Sequence, residues 1–164
     1  MIKLIFSIVL FSLNIYSSQI IYTSEFIDVE RKIVVKDSSI IIDNGIVSSI
    51  EKGFIKVDKD YSVIDLRGYS VMPGLMDMHV HFGQEYKSKA ERPIKIERET
   101  EAILATAHAD ITLKSGFTTV RQVGDSGFVS ISLRDAIADG SVNGPRIFTS
   151  GKSIATTGGH ADPT

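Results

Sequence analysis

The chain of 164 residues is 43% hydrophobic and 23% charged, ordinary globular proportions that exclude a disordered tail, a coiled coil and a collagen-like chain. Its 18 Lys and Arg against 20 Asp and Glu leave a formal charge of −2, without the basic surplus of a nucleic-acid binder. It has no cysteine, so disulfides, thiolate zinc sites and Cys nucleophiles are excluded, and any metal must be held by His and carboxylates.

At the N-terminus Lys3 precedes an apolar run from Leu4 to Leu13, broken by Ser7 and Ser12, and Ser17, Ser18 and Gln19 follow. That order is the pattern of a secretory signal peptide. The run is shorter than the about 20 apolar residues of a membrane span. Residues 1–19 therefore read as an export signal, which makes the protein periplasmic or secreted. The alternative is an uncleaved anchor in which Ile20 to Tyr22 extend the apolar stretch, with membrane contact confined to residues 4–22.

Residues 20–70 read as a small antiparallel β unit. Ile33 to Val35, Ile40 to Ile42 and Ile46 to Ile50 are β-branched runs, and Val63 to Leu66 is another strand ending at Gly68. Between the second and third runs stands Asp43-Asn44-Gly45, whose Asn-Gly pair supplies the two positive-φ positions of a type I′ hairpin turn. The Lys and Asp residues from Lys52 to Asp60 read as a solvated loop face.

From residue 71 to 164 strands and helices alternate. Val71 to His81 reads as a strand interrupted by Pro73-Gly74, and Ile96 to Ser115 as a helix with Ile103, Ala107 and Ile111 on one stripe and Leu104 beside it. Gly116 stops that helix. Phe117 to Val123 is a strand, Ser130 to Asp139 a second helix stopped by Gly140, and Arg146 to Thr149 a third strand. This order implies a parallel α/β unit with right-handed crossovers.

The chemistry is concentrated in Pro73-Gly74-Leu75-Met76-Asp77-Met78-His79-Val80-His81. Side chains on a strand alternate faces, so Asp77, His79 and His81 share one face while Met78 and Val80 point the other way, toward covering helices. Two imidazoles one strand repeat apart can converge on a single cation. For a bare His-x-His, a pair of hydrogen-bonded core histidines is the better reading, and the setting of the motif decides between the two. His108 lies within the first helix and reads as a helix-face residue. Glu97, Glu99 and Glu101 read as acids of a first helical turn. Ser126 and Ser153 lack a neighbouring His and Asp, so a serine hydrolase is a poor reading.

In its setting the motif resembles that of the amidohydrolase superfamily, whose first barrel strand carries Pro-Gly-x-x-Asp-x-His-x-His. The likeness runs from Asn44-Gly45 through Val63-Ile64-Asp65-Leu66-Arg67-Gly68 and Gly116-Phe117-Thr118-Thr119-Val120-Arg121. It extends to Gly144-Pro145-Arg146 and Thr157-Gly158-Gly159-His160, elements similar to the branch of imidazolonepropionase-like enzymes and metal-dependent Xaa-Pro dipeptidases. One departure is Gln122, where members of that branch often have Asp; Asp125 lies three residues on.

The resemblance implies a (β/α)8 metal-dependent hydrolase barrel preceded by a β-sandwich unit, of which residues 20–70 form half. It implies that His79 and His81 bind a divalent ion, most readily Zn2+ as one or two ions, with Asp77 beneath them as an orienting carboxylate. His160, in a loop at the catalytic end of the barrel, becomes a substrate contact. A metal-activated water then attacks an amide or lactam carbonyl, and a late aspartate moves the proton. The catalytic residues themselves are expected beyond residue 164. A barrel takes about 250 residues, and the about 95 left here allow about three of its eight βα units, so the chain reads as an N-terminal portion of a longer enzyme, inactive alone. The expected substrate is a small molecule or short peptide, and the full-length protein is expected to be a homo-oligomer. The alternative is a truncated non-catalytic remnant or a small exported binding module.

Overall fold

The computed structural model describes residues 18–56, 60–83, 97–125 and 127–159. The leader reading for residues 1–17 and the substrate role of His160 lie outside them. The chain divides after Pro73 into two compact units.

The first unit is a four-stranded sheet in the order β3-β2-β1-β4, built from β1 (Gln19–Asp28), β2 (Ile33–Asp43), β3 (Ile46–Lys52) and β4 (Ser62–Val71). β2 and β3 form the hairpin expected from Asn44-Gly45, with φ at 52° and 76°, the two positive values of a type I′ turn. Two features differ from the sequence reading, the joining of two runs into one strand and the parallel placing of β4, while the placing of Ile20 to Tyr22 in the β unit agrees with it. The runs at Ile33 and Ile40 belong to one strand, because the polar stretch between them pairs with β1: Ser38 lies opposite Thr23, and Lys36 opposite Glu25. Ile20 to Tyr22, which the anchor alternative assigned to a membrane stretch, are residues of β1, with Ile20 fully buried. β1 runs antiparallel to β2 but parallel to β4, so the sheet is mixed, the chain crossing from the β3 edge to the opposite edge before β4 begins. Among the described residues no helix is long and apolar enough to cross a membrane.

On β4, Arg67 Nε lies 2.8 and 3.0 Å from the two carboxylate oxygens of Asp65. The hydrogen bonds from the guanidinium hold the Asp65 carboxyl down at about 2. Its folded value lies below its unfolded one, so the pair's contribution is present above the ordinary carboxylate range and is lost as pH falls toward about 2. Arg67→Ala is expected to raise the carboxyl's value only part of the way toward that of a free carboxylate, because the backbone N–H of residue 67 still donates to Asp65 Oδ1 at 3.0 Å, as read by an NMR pH titration. A titration identical to wild type would show that the pair does not form in solution.

The second unit is a parallel sheet in the order β5-β6-β7, built from β5 (Leu75–Val80), β6 (Phe117–Gln122) and β7 (Arg146–Thr149), with α1 (Arg98–Lys114) connecting the first two and α2 (Val129–Ala138) the last two. From α1 onward each element lies within two residues of its expected ends. Val71, expected to open the first strand of this series, instead closes β4, and β5 starts only after Pro73-Gly74, since proline cannot donate to a ladder. The core joins Phe82, Ala105, Ala109, Val120, Val129, Leu133 and Ile147.

Two expectations about faces are corrected. Ile103 and Ile111 are 70% and 59% exposed, and α1 buries Ala105 and Ala109 instead. Helical spacing serves either stripe equally well. The small side chains let α1 lie close over Val120, while the branched ones project outward. Met78, expected beneath a covering helix, is 52% exposed, because α1 packs chiefly on α2 and β6 rather than over β5. Val80 does reach the core.

Candidate metal centre

β5 presents Asp77 and His79 by alternation, and His81 follows one residue past its end. Parallel pairing with β6 holds this segment, with Asp77 opposite Val120 and Val80 opposite Gln122. Arg121 Nε donates to the Met78 carbonyl at 2.8 Å and ties the two strands just before His79. Asp77 Oδ1 accepts the backbone N–H of His79 at 2.9 Å, so the carboxylate braces the strand at the first histidine.

The two imidazoles are exposed and meet edge to face, their ring centroids 5.3 Å apart at 68°. Two imidazoles bound through nitrogen to one tetrahedral zinc, with Zn–N of about 2.1 Å, would have their centroids about 5 Å apart. The pair therefore fits two ligand positions of a divalent ion. Among the described residues no group of three His, Asp or Glu side chains comes together, so the remaining ligands are not supplied here.

Behind His81 lies a set of bonds that sequence reasoning did not anticipate. Its Nδ1 is 3.1 Å from the Gly124 carbonyl, which also accepts Gln122 Nε2 at 2.9 Å. Gln122 Oε1 accepts the N–H of Phe82, the residue after His81, at 3.0 Å. His108, read from sequence as a plain helix-face residue, places its Nδ1 2.6 Å from the Phe82 carbonyl. Nothing in local spacing signals this last contact, since it joins residues 26 apart through tertiary packing.

Asp125, three residues beyond Gln122, is buried and spent on backbone. Its two oxygens accept the N–H groups of Gly127, Phe128 and Ser130 at 3.2, 2.7 and 2.7 Å, capping the start of α2, where a negative charge is favoured. Ser130 Oγ then meets Thr149 Oγ1 at 2.6 Å and joins α2 to the end of β7. Asp125→Ala is expected to cost about 2 kcal/mol, the upper end for a lost helix cap, seen as a lower urea midpoint of the complete protein. An unmoved midpoint would contradict the capping role.

Residues 70–163 match the amidohydrolase family. The chain belongs to that family. Among solved amidohydrolase structures it is similar to a Xaa-Pro dipeptidase crystallised with methionine in its active site, at 63% identity and a TM-score of 0.84, covering 90% of this chain and 36% of that one. Ochratoxinase from Aspergillus niger is 29% identical over 56% of this chain and 19% of its own length. A dihydroorotase from Geobacter metallireducens is 34% identical over 63% of this chain and 23% of its own. The chain thus spans about a third of that solved relative and about a fifth of those two curated ones. The second unit, with its parallel β5-β6-β7 sheet and two connecting helices, lies almost wholly inside the matched region, and so does β5 with its two histidines.

Proposed function

We propose that the complete protein is a metal-dependent amidohydrolase that cleaves the amide bond of Xaa-Pro dipeptides. The observation that carries this reading is the His79–His81 pair at the end of β5, in a chain 63% identical to a Xaa-Pro dipeptidase over 90% of its length. His79 and His81 would hold the ion, taken here to be zinc. A bound divalent ion acidifies water and polarises an amide carbonyl, which supplies a nucleophile at neutral pH. Asp77 keeps the His79 backbone in place, and the Arg121 bond to Met78 fixes the strand from which both histidines project. His160 would contact the substrate. The further ligands and the proton-transferring group belong to the rest of the protein, which is proposed to be exported and to assemble as a homo-oligomer.

A second reading has its own support. The likeness to a dihydroorotase, at 34% identity, favours a cyclic amide as substrate. The longer and stronger match to the dipeptidase outweighs it. Assays of the complete protein with Xaa-Pro dipeptides and with cyclic amides, each with zinc restored and with zinc removed, separate the two. Zinc-dependent release of proline is the expected result. Turnover of cyclic amides alone would replace the substrate assignment, and inertness toward both after zinc is restored would count against either substrate class.

A further inference from the structure

Gln122 is a buried side chain bonded on both sides of the segment that carries His81. It is 2% exposed, and both ends of its amide are bonded. A carbonyl oxygen can only accept, so in the contact between Gly124 O and His81 it is Nδ1 that carries the proton. The lone pair is then on Nε2, the nitrogen left to face a cation. Gln122 Nε2 donates to that same carbonyl and so fixes where it points. At its other end, Gln122 Oε1 takes the N–H of Phe82, which is the peptide group closing the backbone of His81. One amide therefore holds both the group on which the imidazole leans and the main chain that carries the imidazole. The next peptide group, between Phe82 and Gly83, is held on its carbonyl by His108. An amide can do this because it both donates and accepts, whereas a carboxylate at 122 would set oxygen against the Gly124 oxygen.

We propose that Gln122 is a positioning residue of the metal centre, setting the ring plane and tautomer of His81 through the Gly124 carbonyl and the Phe82 N–H. This rests on His79 and His81 being metal ligands. The experiment is zinc affinity by chelator competition, measured on the complete protein as wild type, Gln122→Met, Gln122→Leu and the double variant His79→Ala/His81→Ala. Each is also melted with zinc removed. Met and Leu fill the space of Gln without hydrogen bonds. Loss of an outer hydrogen-bonding partner of a metal ligand costs about 10- to 100-fold in affinity, and a fall of that size is expected in both Gln122 variants at temperatures where they are folded. A purely structural role would lower the zinc-free melt and leave the affinity of the folded protein at the wild-type value, which would overturn the proposal. Failure of both variants to fold would also overturn it, by assigning Gln122 to the core alone. If the double histidine variant keeps wild-type zinc affinity, the metal-centre reading itself falls. If that variant loses zinc while both Gln122 variants keep it, the positioning role alone is refuted.

Discussion

Replacing His79 and His81 together by alanine in the complete protein is expected to abolish tight zinc binding and to lower kcat/KM by about a thousandfold or more. The size follows from the several kcal/mol that a bound metal contributes to developing charge, at about 1.4 kcal/mol per factor of ten. The fold should survive, because neither imidazole belongs to the Phe82–Val120–Ile147 core and their removal opens no cavity in it. Metal analysis of the purified variant, its kinetics with a Xaa-Pro dipeptide and its melting temperature together check this. Metal content and turnover equal to wild type would remove the basis of the proposed function. A large drop in melting temperature with zinc absent from both proteins would show that the pair is structural instead.

The sequence was most legible where a local rule has a single outcome. Asn44-Gly45 has one favourable hairpin geometry, and the structure shows it. Gly116 and Gly140 end α1 and α2 where expected, and β7 runs over the four residues read as strand. Two histidines at a spacing of two come together at the end of β5, as alternation favours, even though the pairing with β6 shifts register between Asp77 and Val80 and His81 lies past the strand. Legibility failed where a signal serves two structures or where the deciding contact is distant. Ile20-Ile21-Tyr22 is apolar enough to continue a leader or to form a strand, and only the partners β2 and β4 settle it. The stripe of α1 could be drawn through Ile103 or through Ala105, and close approach to β6 selects the alanines. The polar run Lys36 to Ser39 carries no strand signal of its own, yet pairing with β1 makes it strand. In the site, Gln122 stood out in the sequence only as a departure from a family habit. Its two bonds depend on the return of β6 beside β5, which no short motif encodes.

Gly124→Ala is expected to weaken zinc binding at least about tenfold, by moving the carbonyl that both His81 Nδ1 and Gln122 Nε2 use. Two separate costs act at this position. Gly124 has φ of 151°, a conformation that a residue with a Cβ rarely adopts, and a Cβ added there would lie 1.9 Å from Ser153 Oγ. The overlap forces one of the two segments to shift, and the backbone strain adds about 1–3 kcal/mol. The costs separate by experiment. Ser153→Ala removes the nearest atom and leaves the φ requirement, so the double variant Gly124→Ala/Ser153→Ala is expected to recover part of the zinc affinity but not all of it. Ser153→Ala alone should bind zinc as wild type does, because no bond from its side chain to the histidines is needed in this arrangement. Full recovery in the double variant would put the whole effect in the steric overlap. No recovery would put it in the backbone. An affinity for Gly124→Ala equal to wild type would mean that the Gly124 carbonyl does not orient His81, and would weaken the case for Gln122 with it, leaving the Phe82 N–H as the amide's one remaining hold on the His81 main chain.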